Sequence, residues 1–470
     1  MKINCNKEEL KQDIYDIAHL FYPEENLKED GNVSIFFVQN KKPGEMETCI
    51  EIRDADGTIK RVYNEGLECC STHLQEKKIL RRNAKLDMYK TLMDHTGKDF
   101  PWGSLTGIRP TKLARELIEE GVDPDFIEET MIKTFLVSEE KARLISRILK
   151  NQRSIIRNDS LIDLYINIPV CPSRCSYCSF ISSELSCVKN LMPIYLEKLI
   201  EEINEVKKII SNKPYVVRTV YIGGGTPTVL TASELDMLLR ELNYPISEFT
   251  VECGRPDTIT EEKLKVLNNH GVTRISINPQ TFSSKTLKMI GRKHTIKDVL
   301  NAYSMALKYG FKVNMDMIAG LPGESFRTFK KNIDTLLELS PDNITIHTLS
   351  IKRGSNLVGY MPESLEVKKM VDYSYKKLTE NEYRPYYMYR QKNQLGGLEN
   401  VGYCKDSAAC IFNIDSMEET CSIIACGANA ISKRIYHDEK RIERQANVKF
   451  LQDYINRIDE MIYDKKILFK

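Results

Sequence analysis

The sequence predicts an α/β chain: an open (β/α)6 partial TIM barrel with an N-terminal α+β domain and a C-terminal capping subdomain. Two observations predict the barrel. From Leu161 onward, six short apolar runs alternate with helical patterns, which is how a parallel sheet wound right-handedly reads. Polar and glycine-rich stretches fall at or just past the C-terminal end of these runs, the rim where α/β barrels carry ligands. Six strands fall short of the eight that close such a barrel. A third observation sets the flanks. The strand–helix beat is missing before residue 159 and after residue 350, giving divisions at 1–158, 159–350 and 351–470.

Taken in order, Lys7 to Tyr22 carries apolar residues at helical spacing, and Asn32–Gln39, Thr48–Arg53 and Thr58–Tyr63 read as strands around an Asp54-Ala-Asp-Gly57 turn. His73 to His95 reads as a long helix whose Lys77, Lys78, Arg81, Arg82 and Lys85 form a solvated basic face. Gly and Pro punctuate Phe100–Leu113. Thr111 is placed to cap the next helix, Arg109 to brace the loop, and Ser138 to cap a helix reaching Arg157. The six barrel strands are expected at Asp163–Ile168, Thr219–Ile222, Phe249–Glu252, Arg274–Ile277, Lys312–Ile318 and Asn343–Leu349. Beyond them, Glu366–Asn381 and Val448–Tyr463 read as helices, Arg384–Asn393 is aromatic and basic, and Ser422–Ala425 is an apolar run.

Composition narrows the function. The 68 basic and 66 acidic side chains leave a formal charge of +2, which calls for neither nucleic acid nor an anionic membrane. Thirteen cysteines, an odd number, in a chain whose first residues lack an apolar secretion signal argue against disulfides and for a reducing cytoplasm. No apolar run approaches the roughly 18 residues of a membrane span, so a soluble protein is expected.

The chemistry centres on Leu164-Tyr-Ile-Asn-Ile-Pro-Val-Cys171-Pro-Ser-Arg-Cys175-Ser-Tyr-Cys178-Ser-Phe180. A closed structural zinc site takes four ligands, and a closed [4Fe–4S] cube takes a thiolate on every iron. Three thiolates on one loop leave one iron open to the amino and carboxylate groups of S-adenosylmethionine. A zinc knuckle completed from elsewhere, or three unligated thiols, are the competing readings. The Gly223-Gly-Gly-Thr-Pro227 loop follows the second strand, and glycines let backbone approach a ligand closely. Its amides are expected to face a carboxylate or the amino-acid end of a cofactor. Glu252 and Asp316 can accept from an ammonium or ribose hydroxyls, and Arg292 can pair with a carboxylate. His294 and His347 fall near the rim without an assigned role, and Cys404, Cys410, Cys421 and Cys426 are read as buried thiols rather than a second cluster.

On the cysteine triplet the chain resembles the radical S-adenosylmethionine superfamily. From Tyr165 to about Ser432 it resembles the oxygen-independent coproporphyrinogen III oxidase (dehydrogenase) family. The likeness rests on Tyr-Ile-Asn-Ile-Pro169, Gly-Gly-Gly-Thr-Pro-Thr228, Glu252, Pro279-Gln280, Arg292, Asp316, Ala-Gly-Leu-Pro-Gly-Glu324 and Gly-Ala-Asn-Ala-Ile-Ser432. Leu-Thr-Gly-Ile-Arg-Pro-Thr-Lys112 and Glu-Asn-Val-Gly-Tyr403 resemble a branch with a long N-terminal extension. The resemblance implies that Cys171, Cys175 and Cys178 hold a [4Fe–4S] cluster. It implies that Tyr165, Tyr177, Gly224 and Glu252 line S-adenosylmethionine. Gly225, Thr226, Gln280, Arg292, Asp316 and Ser350 then match positions around a second one, and Ile431 a late cofactor contact. It further implies a tetrapyrrole substrate and a one-electron donor such as flavodoxin or ferredoxin. The expected reaction is abstraction of a propionate β-hydrogen by a 5′-deoxyadenosyl radical, with loss of CO2 and an electron to leave a vinyl group. Relatives with the same cysteine loop resemble haem chaperones, so a binding and delivery role competes. A radical enzyme acting on tRNA is the third class, opposed by the near-zero net charge.

Overall fold

The computed structural model describes residues 1–470 apart from 24, 26, 28–30, 67–72, 108, 153–154, 156, 179–182, 352–354, 356, 358–359, 361–362 and 392–396, and apart from the side chains of 73–75 and 364. Of the stretches singled out above, Ile108, Arg153, Ser154, Ile156, Ser179, Phe180, Lys392 and Asn393 lie outside the described residues. The chain divides into two compact units, Met1–Ser146 with Gly396–Leu398, and Arg147–Leu395 with Glu399–Lys470.

The first unit is a four-stranded sheet, β1 (Lys2–Cys5), β2 (Ser34–Lys42), β3 (Glu45–Asp54) and β4 (Gly57–Gly66), in that order. β1 lies parallel to β2 and the rest are antiparallel. One face buries Ile35, Phe37, Ile50 and Ile52 with Leu10, Ile14, Ile17, Met88, Tyr89 and Leu92 of the helices Glu8–Phe21 and His73–Thr96. The sequence pattern does not reveal β1, because its four residues are too few to show a period. The basic run is partly tied down: Arg81 and Lys85 pair with the buried Asp13 at 2.6 and 2.9 Å. Thr111 does not cap its helix. Arg109 occupies the N-cap position, Pro110 opens the first turn and Thr111 is buried within it, as the fixed φ of proline favours.

The second unit is built on one open sheet of eleven strands. The expected six appear as β5 (Leu161–Ile168), β8 (Val216–Gly224), β9 (Glu248–Val251), β10 (Arg274–Ser276), β11 (Lys312–Ala319) and β12 (Asn343–Thr348). Between the first two of these lies a separate two-residue pair, β6 (Val170–Cys171) and β7 (Ser183–Glu184). All six are neighbours and parallel, with helices such as Met192–Ser211 and Phe326–Leu339 between them along the chain. The later chain extends both edges. β13 (Arg384–Tyr389) and β14 (Asn400–Cys404) add antiparallel strands beside β12. β15 (Ser422–Cys426) lies parallel to β5, followed by antiparallel β16 (Ile431–Tyr436) and β17 (Arg441–Ala446). The final helix breaks at Arg457 into Leu451–Asn456 and Ile458–Leu468. Among the described residues no helix is long and apolar enough to cross a membrane.

The short helix Ile411–Glu418 ties together the starts of several strands. Glu248, which opens β9, accepts from the backbone N–H groups of Ile411 and Phe412 at 3.2 and 3.4 Å, placing a carboxylate at the positive end of the helix dipole. Arg274 of β10 donates to the same carboxylate at 3.1 Å. Nearby, Asp163 accepts from Thr219 at 2.6 Å and from the Cys421 thiol at 3.1 Å, while Asp415 accepts from Arg218 at 3.4 Å. Burial, and then the charge of Asp415, raises the Asp163 carboxyl above its ordinary range. Cys410 donates to Glu248, so Cys410 and Cys421 serve different carboxylates, as isolated thiols do.

Candidate active site

The cysteine loop leaves β5 and is stitched down along its length. β6, which contains Cys171, pairs in parallel with β7. Arg174 N–H donates to Glu184 Oε1 at 3.1 Å, Ser176 N–H to the Ile290 carbonyl at 3.0 Å, and Cys178 N–H to the Cys175 carbonyl at 3.1 Å. All three are thiols outside any disulfide, with Cys175 buried and the others half-buried. Two sulfurs meet donors: Thr226 Oγ1 lies 3.5 Å from Cys171 Sγ, and Arg255 Nη1 lies 3.9 Å from Cys175 Sγ. Donors aimed at sulfur suit thiolates. Among the described residues the one trio of His, Cys, Asp or Glu ligand atoms gathered within 4.8 Å is Asp163, Asp415 and Cys421.

The glycine turn differs from expectation in one respect. β8 runs on through Gly223 and Gly224, and the amides of Gly225 and Thr226 are spent on the carbonyls of Ile168 and Val170, both at 2.9 Å. They fasten the cysteine strand and do not face a ligand. The glycines serve close approach instead. A Cβ on Gly225 would sit 2.5 Å from the Val170 carbonyl oxygen. Gly224 has φ +108°, and its Cβ would sit 1.9 Å from Asn167 Oδ1.

Glu252 directly follows β9 and is half-buried. Its Oε1 accepts from Tyr221 O–H at 2.6 Å. Burial, reinforced by the charge of Asp316, pushes its carboxyl up to about 7 against the opposing pull of Tyr221 and the Gly224 amide. Asp316 behaves oppositely. Burial acts to raise it, but His347, Asn314 and Thr345 hold its carboxyl below the ordinary value. Asn314 Nδ2 donates to Asp316 at 2.7 Å, and His347 Nε2 stands 3.6 Å away, with the other ring nitrogen 3.3 Å from Tyr389 O–H. The rim thus pairs a carboxyl that titrates near neutrality with one held ionised.

Aromatic rings line the same face. Tyr165, two residues before Asn167 on one side of β5, donates to Asn167 Oδ1 at 3.2 Å and stacks at 5.8 Å on Phe412, which stacks at 4.3 Å on Tyr221. Tyr387 and Tyr389 continue the series from β13 at 6.5 Å.

The remaining expected residues are brought to this end of the sheet. Gln280 bridges to Met317 of β11 and adopts φ +64°, rare for a side-chain-bearing residue. Its Oε1 and the hydroxyl of Ser350 are buried without a partner. Backbone held off its favoured region beside unpartnered buried polar atoms is the pattern of a polar ligand's site. Arg292, expected to meet a carboxylate, instead donates to the carbonyls of Gly254 and Asn278 at 3.0 and 3.1 Å and to Tyr177 Oη at 2.9 Å. It braces the cysteine loop through Tyr177. Ile431 opens β16 on the rim side, and is 52% exposed. Asn167, Tyr221, Arg255 and Tyr389 join the site without having been singled out by sequence pattern. Of these, Asn167 carries a local signal as the polar residue within Tyr-Ile-Asn-Ile-Pro, and Tyr389 lies in the aromatic and basic run Arg384–Asn393. Its Nδ2 donates to the Ala428 carbonyl at 2.5 Å.

Comparison with known proteins shows the family. A model of the radical SAM superfamily matches residues 165–336. The chain is 36% identical over 478 residues to the oxygen-independent coproporphyrinogen-III oxidase-like protein HemZ of Bacillus subtilis, covering 98% of this chain and 95% of that protein. It is 35% identical over 196 residues to the haem chaperone HemW of the same organism, covering 40% of this chain and half of the chaperone. Among solved structures, coproporphyrinogen III oxidase HemN from Escherichia coli superposes with a TM-score of 0.51 at 20% identity, over 68% of this chain and 73% of that one. This last likeness speaks for the fold alone.

Proposed function

We propose, from the premise that the chain belongs to the oxygen-independent coproporphyrinogen-III oxidase-like family of radical SAM proteins, that it oxidatively decarboxylates coproporphyrinogen III propionates to vinyl groups, giving protoporphyrinogen IX. The cofactors of this superfamily are a [4Fe–4S] cluster and S-adenosylmethionine. When bound, they supply one-electron reduction and, from it, hydrogen-atom abstraction from the substrate. The balance is a β-hydrogen, CO2 and one electron lost per propionate, the electron leaving to an acceptor.

The observation that carries the reading is the meeting of Thr226 and Arg255 with the sulfurs of Cys171 and Cys175 at the rim that also holds Glu252 and Asp316. In it, Cys171, Cys175 and Cys178 hold the cluster. Glu252 accepts from the ammonium of S-adenosylmethionine, Asp316 and Gln280 take polar groups of bound cofactor, and Ser350 and Ile431 bound the same space. Gly224, Gly225 and Thr226 shape the cradle through their lack of bulk and their hold on the cysteine strand. Tyr165, Tyr177 and Arg292 stiffen it from behind. The stacked rings of Tyr387 and Tyr389 suit the flat face of a tetrapyrrole, and hold the target C–H in line, which governs where a hydrogen is taken.

A second reading has its own support in the similarity to haem chaperones over the barrel region. Purified protein given coproporphyrinogen III, S-adenosylmethionine and reduced flavodoxin without oxygen is expected to release CO2 and yield vinyl product. Stoichiometric haem binding and transfer with no CO2 would establish the chaperone instead.

The carboxyl of Glu252 gives a pH test. Raised to about 7, it is protonated below that value and ionised above it, and only the carboxylate neutralises an ammonium. Affinity for S-adenosylmethionine is therefore expected to rise as pH increases through about 7. In Glu252→Gln, calorimetric titration is expected to show weaker binding, by about tenfold or 1.4 kcal/mol, without that pH dependence. An unchanged profile in the variant would remove Glu252 from the cradle.

A further inference from the structure

Arg255 stands in a turn just past β9 and is only 3% exposed. A buried guanidinium needs counter-charge and hydrogen-bond acceptors around it. Its Nε and Nη2 donate to the two oxygens of Asp257 at 3.1 and 3.0 Å, a forked pair that fixes the plane of the group. The opposite side faces the cysteine loop. Nη1 donates to the Ser173 carbonyl at 3.1 Å and to Ser173 Oγ at 3.2 Å, Nη2 to Ser173 Oγ at 3.2 Å, and Nη1 also to Cys175 Sγ at 3.9 Å. The backbone beneath is held as well, since Thr258 O–H donates to the Arg255 carbonyl at 2.7 Å and Lys263 to the Thr258 carbonyl at 3.1 Å.

We propose that Arg255 is a positioning residue that sets the reduction potential of the cluster, by directing an N–H and a cationic charge at Cys175 Sγ while pinning Ser173. This rests on the reading of the three cysteines as cluster ligands. Reduction adds one electron to an already electron-rich cluster and its thiolates. Hydrogen bonds to the sulfurs and nearby positive charge stabilise that added charge and raise the potential. Asp257 moderates the effect by neutralising part of the guanidinium charge from the far side. Burial keeps water from screening the part of that charge that Asp257 leaves uncompensated.

The test is a redox titration, followed by electron paramagnetic resonance, of the full-length protein reconstituted without oxygen and normalised to iron and sulfide content. Arg255→Gln is expected to disfavour the reduced cluster roughly tenfold, a shift of about 59 mV to lower potential for one electron. Arg255→Lys, which keeps the charge but not the fork, is expected to recover part of it. Asp257→Asn keeps Arg255 and removes its counter-charge, so its potential is expected to move the opposite way. If Arg255→Gln loads no cluster, the direction of the Asp257→Asn shift decides: a rise supports the proposal and an unchanged potential overturns it. A fully loaded Arg255→Gln protein with the parent potential also overturns it. Absence of a four-iron spectrum from the unaltered protein would instead defeat the cluster reading itself.

Discussion

Cys175→Ala is expected to abolish both the iron–sulfur spectrum and turnover while leaving the fold intact. The unaltered protein reconstituted without oxygen should carry about four irons and four sulfides per chain. With one of three thiolates gone, a cube has two protein-held corners, and the remaining loop cannot retain it. The side chain removed is small, and the loop keeps its backbone bonds from Cys178 to Cys175 and from Ser176 to Ile290. Far-ultraviolet circular dichroism should therefore match the parent. Cys404→Ala is the control: Cys404 is buried in β14, and its loss should leave the iron content unchanged. Parent-like iron in Cys175→Ala would show that the loop does not hold the cluster.

The second large effect is expected from Gly224→Ala. Its φ of +108° lies in a region that side-chain-bearing residues rarely occupy, at a cost of about 1–3 kcal/mol. The added methyl would also meet Asn167 Oδ1 at 1.9 Å. Asn167 cannot easily withdraw, because its amide donates to Ala428 and its oxygen accepts from Tyr165. The strain is relieved only by moving the end of β8 away from β5, which carries the cradle with it. S-adenosylmethionine affinity should fall by tenfold or more, since about 1.4 kcal/mol is tenfold. Gly66→Ala, with nothing within 4 Å of the new Cβ, should leave binding alone. Equal affinities in the two variants would show that the glycine turn lies off the cofactor's path.

What can be read from the chain follows from how locally each feature is encoded. The six parallel strands announce themselves because each is a short apolar run between helices whose faces repeat every few residues. The cysteine spacing and the phase of Glu252 and Asp316 against their strands need no partner to be recognised. The helix Ile411–Glu418 does need one. Its N-terminus is fastened by Glu248, 163 residues earlier, and nothing between Cys410 and Thr420 foretells that contact. The glycine amides mislead for a related reason. An N–H in a glycine loop looks free until the strand beside it is known, and here β5 and β6 use them. Arg255 escapes notice in the sequence because an arginine after a strand is ordinarily a surface charge, and only the fold shows it turned inward on Ser173 and Cys175.

One consequence concerns the order of synthesis. β5, which delivers the cysteine loop, gains its second parallel neighbour only when β15 arrives, and the thiol of Cys421 bonds a residue 258 positions upstream. At the roughly 5–20 residues per second of translation, that neighbour trails β5 by on the order of 10–50 s. Through that interval the strand that leads into the cysteine loop stands at the edge of the growing sheet, with the backbone groups of its outer flank unpaired.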